Sequence, residues 1–146
     1  MGKRVILAVA GSGKTYHICR QLDPTKKNLI LAFTHANIYN IMAEITKRFG
    51  EIPAKTSIRT FHSFVHQFLL KPYEFTIFDT YGVEYIDTHG VSLKQPPQLS
   101  KKCNGYRKRN PYYYPVSDIR HFITANDQYY CDLMTDLLIR VNKKNT

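Results

Sequence analysis

Apolar and polar residues alternate along the first seventy positions in a way that separates strands from helices. Arg4 to Val9 is a short apolar run rich in β-branched side chains, as expected of a buried strand. Thr15 to Leu22 follows with a helical period that turns Ile18, Cys19 and Leu22 to one face and stops at Asp23-Pro24. Asn28-Leu29-Ile30-Leu31-Ala32-Phe33 is a second run of buried-strand character. Ile38, Ile41, Met42, Ile45 and Phe49 then recur at helical spacing, and Gly50 closes that helix. Lys55 to Thr60 predicts a third short strand. It leads into a helix that carries Phe61, Phe64, Val65, Phe68 and Leu69 inward and ends before Pro72. Strands alternating with helices imply an α/β fold built on a parallel sheet with right-handed crossovers.

Beyond Lys71 the rhythm breaks. Pro72, Pro96, Pro97, Pro111 and Pro115 punctuate a stretch without helical period, in which Glu84 to Leu93 has the makings of a hairpin around His89-Gly90. A basic segment, Lys101-Lys102-Cys103-Asn104-Gly105-Tyr106-Arg107-Lys108-Arg109, precedes Tyr112-Tyr113-Tyr114. Tyr130, Leu133, Met134, Leu137, Leu138 and Val141 then form an amphipathic helix with Asp127 near its start. The organisation expected is a core over residues 1–71 and a basic, partly helical insertion or subdomain over residues 72–146. No internal repeat is visible.

At 146 residues the chain is one domain's worth of core. With 43% hydrophobic residues its composition is ordinary; its formal charge of +10 is not. Such an excess favours a polyanionic partner, nucleic acid before an anionic membrane surface, although solubility alone also explains charge. Eleven Tyr and eight Phe accompany the cations. That pairing suits a single strand, whose bases stack on rings while its phosphates meet cations. Three scattered cysteines, Cys19, Cys103 and Cys131, argue for a reducing compartment and against a disulfide framework. Without a charged-then-apolar leader or a membrane-length apolar run, the expectation is a soluble, cytoplasmic protein with no membrane partner.

The chemistry is concentrated directly after the first apolar run, in Ala8-Val9-Ala10-Gly11-Ser12-Gly13-Lys14-Thr15. Gly11 and Gly13 allow backbone angles closed to other residues, so that successive N–H groups can turn inward around a phosphate. Lys14 brings a charge to the β/γ-phosphates, the Thr15 hydroxyl is the expected Mg²⁺ ligand, and the helix that starts there adds its positive end. The nucleotide contacts expected are Ala10, Gly11, Ser12, Gly13, Lys14, Thr15 and Tyr16, with Lys14 and Thr15 in the catalytic roles and ATP with Mg²⁺ as cofactors. Ala8 stands where the general motif begins with glycine.

With the phosphate loop in place, two further segments carry a resemblance. Leu31-Ala32-Phe33-Thr34-His35-Ala36-Asn37 is similar to motif Ia, and Ile58-Arg59-Thr60-Phe61-His62-Ser63-Phe64 to motif Ib, of superfamily 1 helicases of the UvrD, Rep and PcrA kind. The resemblance implies the N-terminal part of a first RecA-like domain, a P-loop NTPase sheet flanked by helices, in an ATP-dependent motor that moves along single-stranded DNA. It further implies DNA-side roles for Phe33, Thr34, His35, Thr60, Phe61, His62 and Ser63. Lys101, Lys102, Arg107, Lys108 and Arg109 would meet the strand or a single/double-strand junction from the inserted subdomain. The family's strand ending in Asp-Glu and its second RecA-like domain have no counterpart in this sequence. Nucleotide binding is therefore expected of these residues, and hydrolysis only with the remainder of a helicase chain or a helicase partner.

Other readings are weaker on the residues. His62 and His66 have the spacing of a zinc pair, but Ser63 stands where the zinc-protease motif needs glutamate. A P-loop kinase for a small acceptor shares the loop and leaves Thr60-Phe61-His62-Ser63 unexplained. A naturally short, non-catalytic nucleotide- and nucleic-acid-binding module is the remaining alternative. The segment Lys101–Arg109 could also be a solvated loop, and Tyr112–Tyr114 either a stacking surface or a packed edge.

Overall fold

The computed structural model describes residues 11–103 and 105–144, with the backbone alone for residues 101–103 and 144. The expected strand Arg4–Val9 and the nucleotide contact Ala10 lie outside the described residues. Two compact units divide the chain, Met1–Phe61 and His62–Thr146.

The first unit is α/β. Helix α1 (Lys14–Gln21) leads to strand β1 (Asn28–Ala32), helix α2 (His35–Phe49) and strand β2 (Thr56–Thr60). The two strands pair in parallel, from Asn28 opposite Thr56 to Ala32 opposite Thr60. Helix α2 is the crossover that parallel pairing requires. Thr34 caps it, its hydroxyl oxygen accepting the Asn37 N–H at 3.2 Å. Gly50, at φ 82°, ends it with its N–H on the Thr46 carbonyl. Ile38, Ile41 and Ile45 fall on one face and pack with Cys19, Leu22, Ile30 and Ala32 into a single core. The Arg48 guanidinium donates to the Cys19 carbonyl at 2.7 Å, tying the end of α1 to α2.

Burial along β1 alternates. Ile30 and Ala32 face the core, while Leu29 and Leu31 are 50% and 37% exposed. The expectation of a strand buried on both faces and reaching Phe33 is thus corrected. Among the described residues helices cover one face only, and the period of two leaves the other face open. Ile18, expected inward, is exposed because Cys19 and Leu22, three apart, take the core-facing stripe. This two-stranded parallel sheet agrees with the α/β expectation, although the full parallel sheet of a RecA-like domain is not among the described residues.

A change of winding follows. Helix α3 (Phe61–Phe64) passes into a π-helix over Val65–Leu70, a 3₁₀ turn over Lys71–Tyr73, and helix α4 (Glu74–Thr80). One α-helix ending before Pro72 was the expectation. The wider i→i+5 turn instead buries Val65 and Leu70, five apart, and leaves Phe68 and Leu69 exposed. Pro72 does not stop the chain because it sits in the first turn of the 3₁₀ segment, where its missing N–H costs nothing.

No hairpin forms around His89-Gly90. Strand β3 (Val91–Ser92) pairs in parallel with β6 (Tyr129–Tyr130), and the His89 N–H reaches the Asp127 carbonyl at 2.8 Å. The preceding loop is fastened by a buried carboxylate. Glu74, 1% exposed, accepts from the Thr88 hydroxyl, from Lys71 Nζ at 2.9 Å and from Tyr85 Oη at 3.2 Å, with Tyr129 Oη at 3.5 Å. Lys71 also pairs with Asp87 at 2.5 Å and donates to the Thr88 carbonyl. Burial alone would lower the Lys71 pKa, but its bonds from Asp87 and Glu74 outweigh this and raise it. A buried charge kept this fully bonded is costly to break, because removing one partner strands the other.

The basic segment forms an antiparallel hairpin of β4 (Ser100–Cys103) and β5 (Tyr106–Arg109), with Gly105 at φ 79° in its turn. Tyr112–Tyr114 adopts no strand. Helix α5 (Met134–Lys144) starts later than the apolar period suggests, because Tyr130 belongs to β6 and Cys131–Leu133 is a 3₁₀ turn. It packs on the π-helix and α4 through Met134, Leu137 and Val141, all buried. Cys19 and Cys131 are buried free thiols. No helix among the described residues is long and apolar enough to cross a membrane.

His66, on the π-helix, packs its ring 5.9 Å from that of Tyr129, and its buried Nε2 has no hydrogen-bond partner. Burial lowers its pKa, partly countered by the nearby Glu74 and reinforced by Lys71. A histidine kept neutral in the fold takes up its proton more readily when unfolded. Stability should therefore fall as pH drops below about 6.5 and the unfolded histidine charges. Thermal melts of His66→Phe between pH 5 and 8 are expected to lose that limb of the wild-type profile.

Candidate nucleotide and nucleic-acid site

The phosphate loop enters the structure with the two backbone angles its glycines are there to supply. Gly11 sits at φ 78° and Gly13 at φ 75°, ψ 24°, the left-handed region. A Cβ at either position would meet no atom of the described residues within 4 Å, and the positive φ alone calls for glycine. Gly13 is the N-cap of α1, and the first helical bond runs from the His17 N–H to its carbonyl at 2.9 Å. Among the described residues no side chain caps the helix and its first turn holds no carboxylate, so no described group there competes with an anion for its positive end. Ser12, Lys14 and Tyr16 are exposed at this end, and Thr15 and His17 are half-buried.

These features fit a polyphosphate. Gly11 to Tyr16 would surround it, Lys14 would supply charge and the Thr15 hydroxyl would be the ligand to a magnesium ion. Among the described residues no group of His, Cys, Asp and Glu could hold a metal by itself. The zinc reading of His62 and His66 finds no support there.

The parallel register assembles a second feature. Because Ala32 pairs with Thr60, the residues that follow each strand emerge side by side at the carboxyl ends of β1 and β2. Ligands of open parallel sheets bind beyond this end. Phe33 and Phe61 meet there, ring centroids 5.5 Å apart at 38°. Phe33 is 72% exposed. The Thr34 hydroxyl serves as the α2 cap described above, His35 opens α2 and is exposed, and Thr60 is half-buried. His62 and Ser63 fall in α3 at the start of the second unit, half-buried and exposed respectively.

In the hairpin, Lys101 stands opposite Lys108, Lys102 opposite Arg107 and Ser100 opposite Arg109. Tyr106, Arg107, Lys108 and Arg109 are exposed, whereas the side chains of Lys101 and Lys102 lie outside the described residues. Like charges placed directly across a ladder are unfavourable, so this ribbon carries a concentrated positive field. The hairpin itself had a sequence signal that charge counting passed over: Asn104-Gly105 between two four-residue arms is the preferred two-residue turn.

Comparison with known proteins extends these observations. The family model of the viral superfamily 1 RNA helicase core domain matches residues 4–95, a span that takes in the phosphate loop, the edge at Phe33 and the segment Thr60–Ser63. No curated protein and no solved structure matches the chain. The matched residues make up more than half of the sequence, and the chain belongs to the viral superfamily 1 RNA helicase core domain family, one of nucleotide-binding helicases that use ATP and Mg²⁺.

Proposed function

We propose that this chain binds ATP with Mg²⁺ through Gly11–Tyr16 and a single-stranded nucleic acid at the edge formed by Phe33, Thr34, His35, Thr60 and Phe61. His62 and Ser63 are further strand contacts, and the cations of β4 and β5 hold the strand or a single/double-strand junction. The observation that carries the reading is the pair of positive-φ glycines running into an uncapped helix. On this reading the chain supplies the ATP-binding part of an ATP-dependent translocase or helicase. Its organisation is a RecA-like core over 1–71 followed by a basic subdomain over 72–146.

The ligand of the strand site is a phosphodiester chain with unstacked bases, which DNA and RNA share. Similarity of the Phe33 and Thr60 segments to UvrD-like motifs favours DNA, and the description of the matched family favours RNA. Hydrolysis needs an acidic pair for the magnesium ion and attacking water, together with an arginine facing the γ-phosphate. No Asp-Glu pair occurs in the sequence. On this reading such groups would come from the remainder of a helicase chain or from a helicase partner.

Lys14→Ala should abolish ATP binding measured by calorimetry while circular dichroism stays unchanged; retained wild-type affinity would overturn the site. Gly13→Ala has room for its methyl group but not the backbone angle, a cost of ~1–2 kcal/mol. It should weaken ATP binding by roughly tenfold without loss of Lys14.

Fluorescence anisotropy with labelled single-stranded DNA and RNA of equal length tests the second half. Affinity for the preferred strand should fall steeply with salt, each displaced phosphate contact contributing ~0.7 to the logarithmic slope. The double variant Arg107→Gln/Lys108→Gln should flatten that slope by about one to two contacts. A slope unchanged in the variant would remove the hairpin from the strand site.

A further inference from the structure

A pocket of about 350 Å³ lies in the second unit, and none of the residues named above as contacts lines it. Its walls include Lys94, Tyr112, Tyr114, Arg120, Asn126 and Gln128. No carboxylate among the described residues lines it. Tyr112 is 67% exposed, so an unusually large ring stands at the pocket with much of its surface in solvent. The Arg120 guanidinium lies 4.3 Å from the centroid of the Tyr114 ring, and its charge is held by Asp118 through Nη2 at 2.5 Å and Nε at 3.0 Å. Arg120 therefore fixes a flat platform more than it offers a free cation. The Lys94 ammonium makes no ion pair among the described residues.

The loop 124–128, which also lines the pocket, is closed by hydrogen bonds. Thr124 closes the loop 124–128 by accepting the N–H groups of Asn126 and Gln128 on its hydroxyl, both at 3.2 Å, while its own N–H meets the Gln128 carbonyl at 2.8 Å. Asp127 accepts the left-handed angle, φ 52°, that this tight turn requires. Asn126 and Gln128 thereby present primary amides, which can both donate and accept, from a fixed backbone.

Chain continuity links this pocket to the basic hairpin. The ladder of β4 and β5 extends by the Asn110 N–H to the Leu99 carbonyl at 3.0 Å. Asn110 is buried, and its side-chain oxygen accepts the Tyr112 N–H at 3.1 Å. Tyr112 thus follows the last cation of the hairpin, Arg109, by three residues and is tied to its base through Asn110.

The geometry points to a seat for a single nucleotide unit: one unstacked base of a single strand, held against the tyrosines, read at its edge by the Asn126 and Gln128 amides, with its phosphate toward Lys94. The size, the rings, the amide pair and the absence of a carboxylate suit that ligand together. This inference rests on the proposed strand binding and adds a base-binding subsite to it. The same chemistry exists in a free nucleoside monophosphate, and the experiment separates the two.

The test uses the full chain with a fluorescein-labelled oligo(U) and oligo(dT) of roughly twelve nucleotides, within the usual site size of such surfaces, and uridine 5′-monophosphate as competitor. Tyr112→Ala, an exposed substitution, should weaken strand binding by about tenfold, the value of a lost base–ring stack, with the salt slope unchanged. Tyr112→Phe should restore it. Lys94→Gln should weaken binding and lower the slope by about one phosphate contact. Strand binding that survives Tyr112→Ala but is lost in Arg107→Gln/Lys108→Gln overturns the pocket and leaves the strand reading standing. A wild-type chain that binds neither oligonucleotide overturns both. Displacement of the strand by an equal concentration of the monophosphate overturns the strand assignment and gives the seat to a free nucleotide.

Discussion

Parallel pairing of β1 with β2 is the constraint from which the first unit's chemistry follows. Two strands can run side by side in the same direction only if the chain returns through a crossover, and α2 is that crossover. Its buried isoleucines hold the helix on one face of the sheet, and the Thr34 cap sets where it begins. Since Ala32 is in register with Thr60, the segments following both strands must leave the sheet at the same edge. Phe33 and Phe61 are almost thirty positions apart in sequence and become neighbours only through this register. A slip of one residue would turn Ile30 and Ala32 to the open face and separate the rings.

The phosphate loop uses a different physical device. Among the described residues nothing packs within 4 Å of where a Cβ of Gly11 or Gly13 would lie. What it needs is backbone shape, with amides and a helix end directed at one point. For this reason the loop could be read directly from the sequence: residue type there specifies conformation without reference to distant neighbours. The edge at Phe33 and Phe61 was open to the same reading only by resemblance, because composition gives no hint of register. Strand and helix periods located α1, β1, α2 and β2 to within a residue or two. They misjudged how many faces of β1 would be covered, since an apolar run does not say where the next layer lies.

The second unit shows where periodicity fails. A run such as Phe64, Val65, Phe68 and Leu69 fits α-helical spacing, yet the chain winds as a π-helix and buries Val65 and Leu70. Nothing local distinguishes these outcomes; packing of α5 against that segment enters from seventy residues later. Glu74 is likewise unremarkable in sequence, one acid near a proline. Only the fold reveals that Lys71, Tyr85, Thr88 and Tyr129 converge on it. Their bonds join α4, the 84–90 loop and β6, the elements that a hairpin around His89-Gly90 would have kept apart.

Charge then links architecture to function. The hairpin of β4 and β5 sets cations across from cations in its register, an arrangement that weakens a two-stranded ribbon already marginal by itself. The buried Asn110, whose N–H meets the Leu99 carbonyl and whose side-chain oxygen accepts the Tyr112 N–H, anchors its base. A polyanion lying along the ribbon would replace repulsion with attraction on both strands at once. By linkage, whatever binds the folded ribbon more tightly than the unfolded chain also stabilises it. Lysines and arginines that cost the hairpin stability in isolation would, on the proposed reading, be the groups through which a bound strand strengthens it.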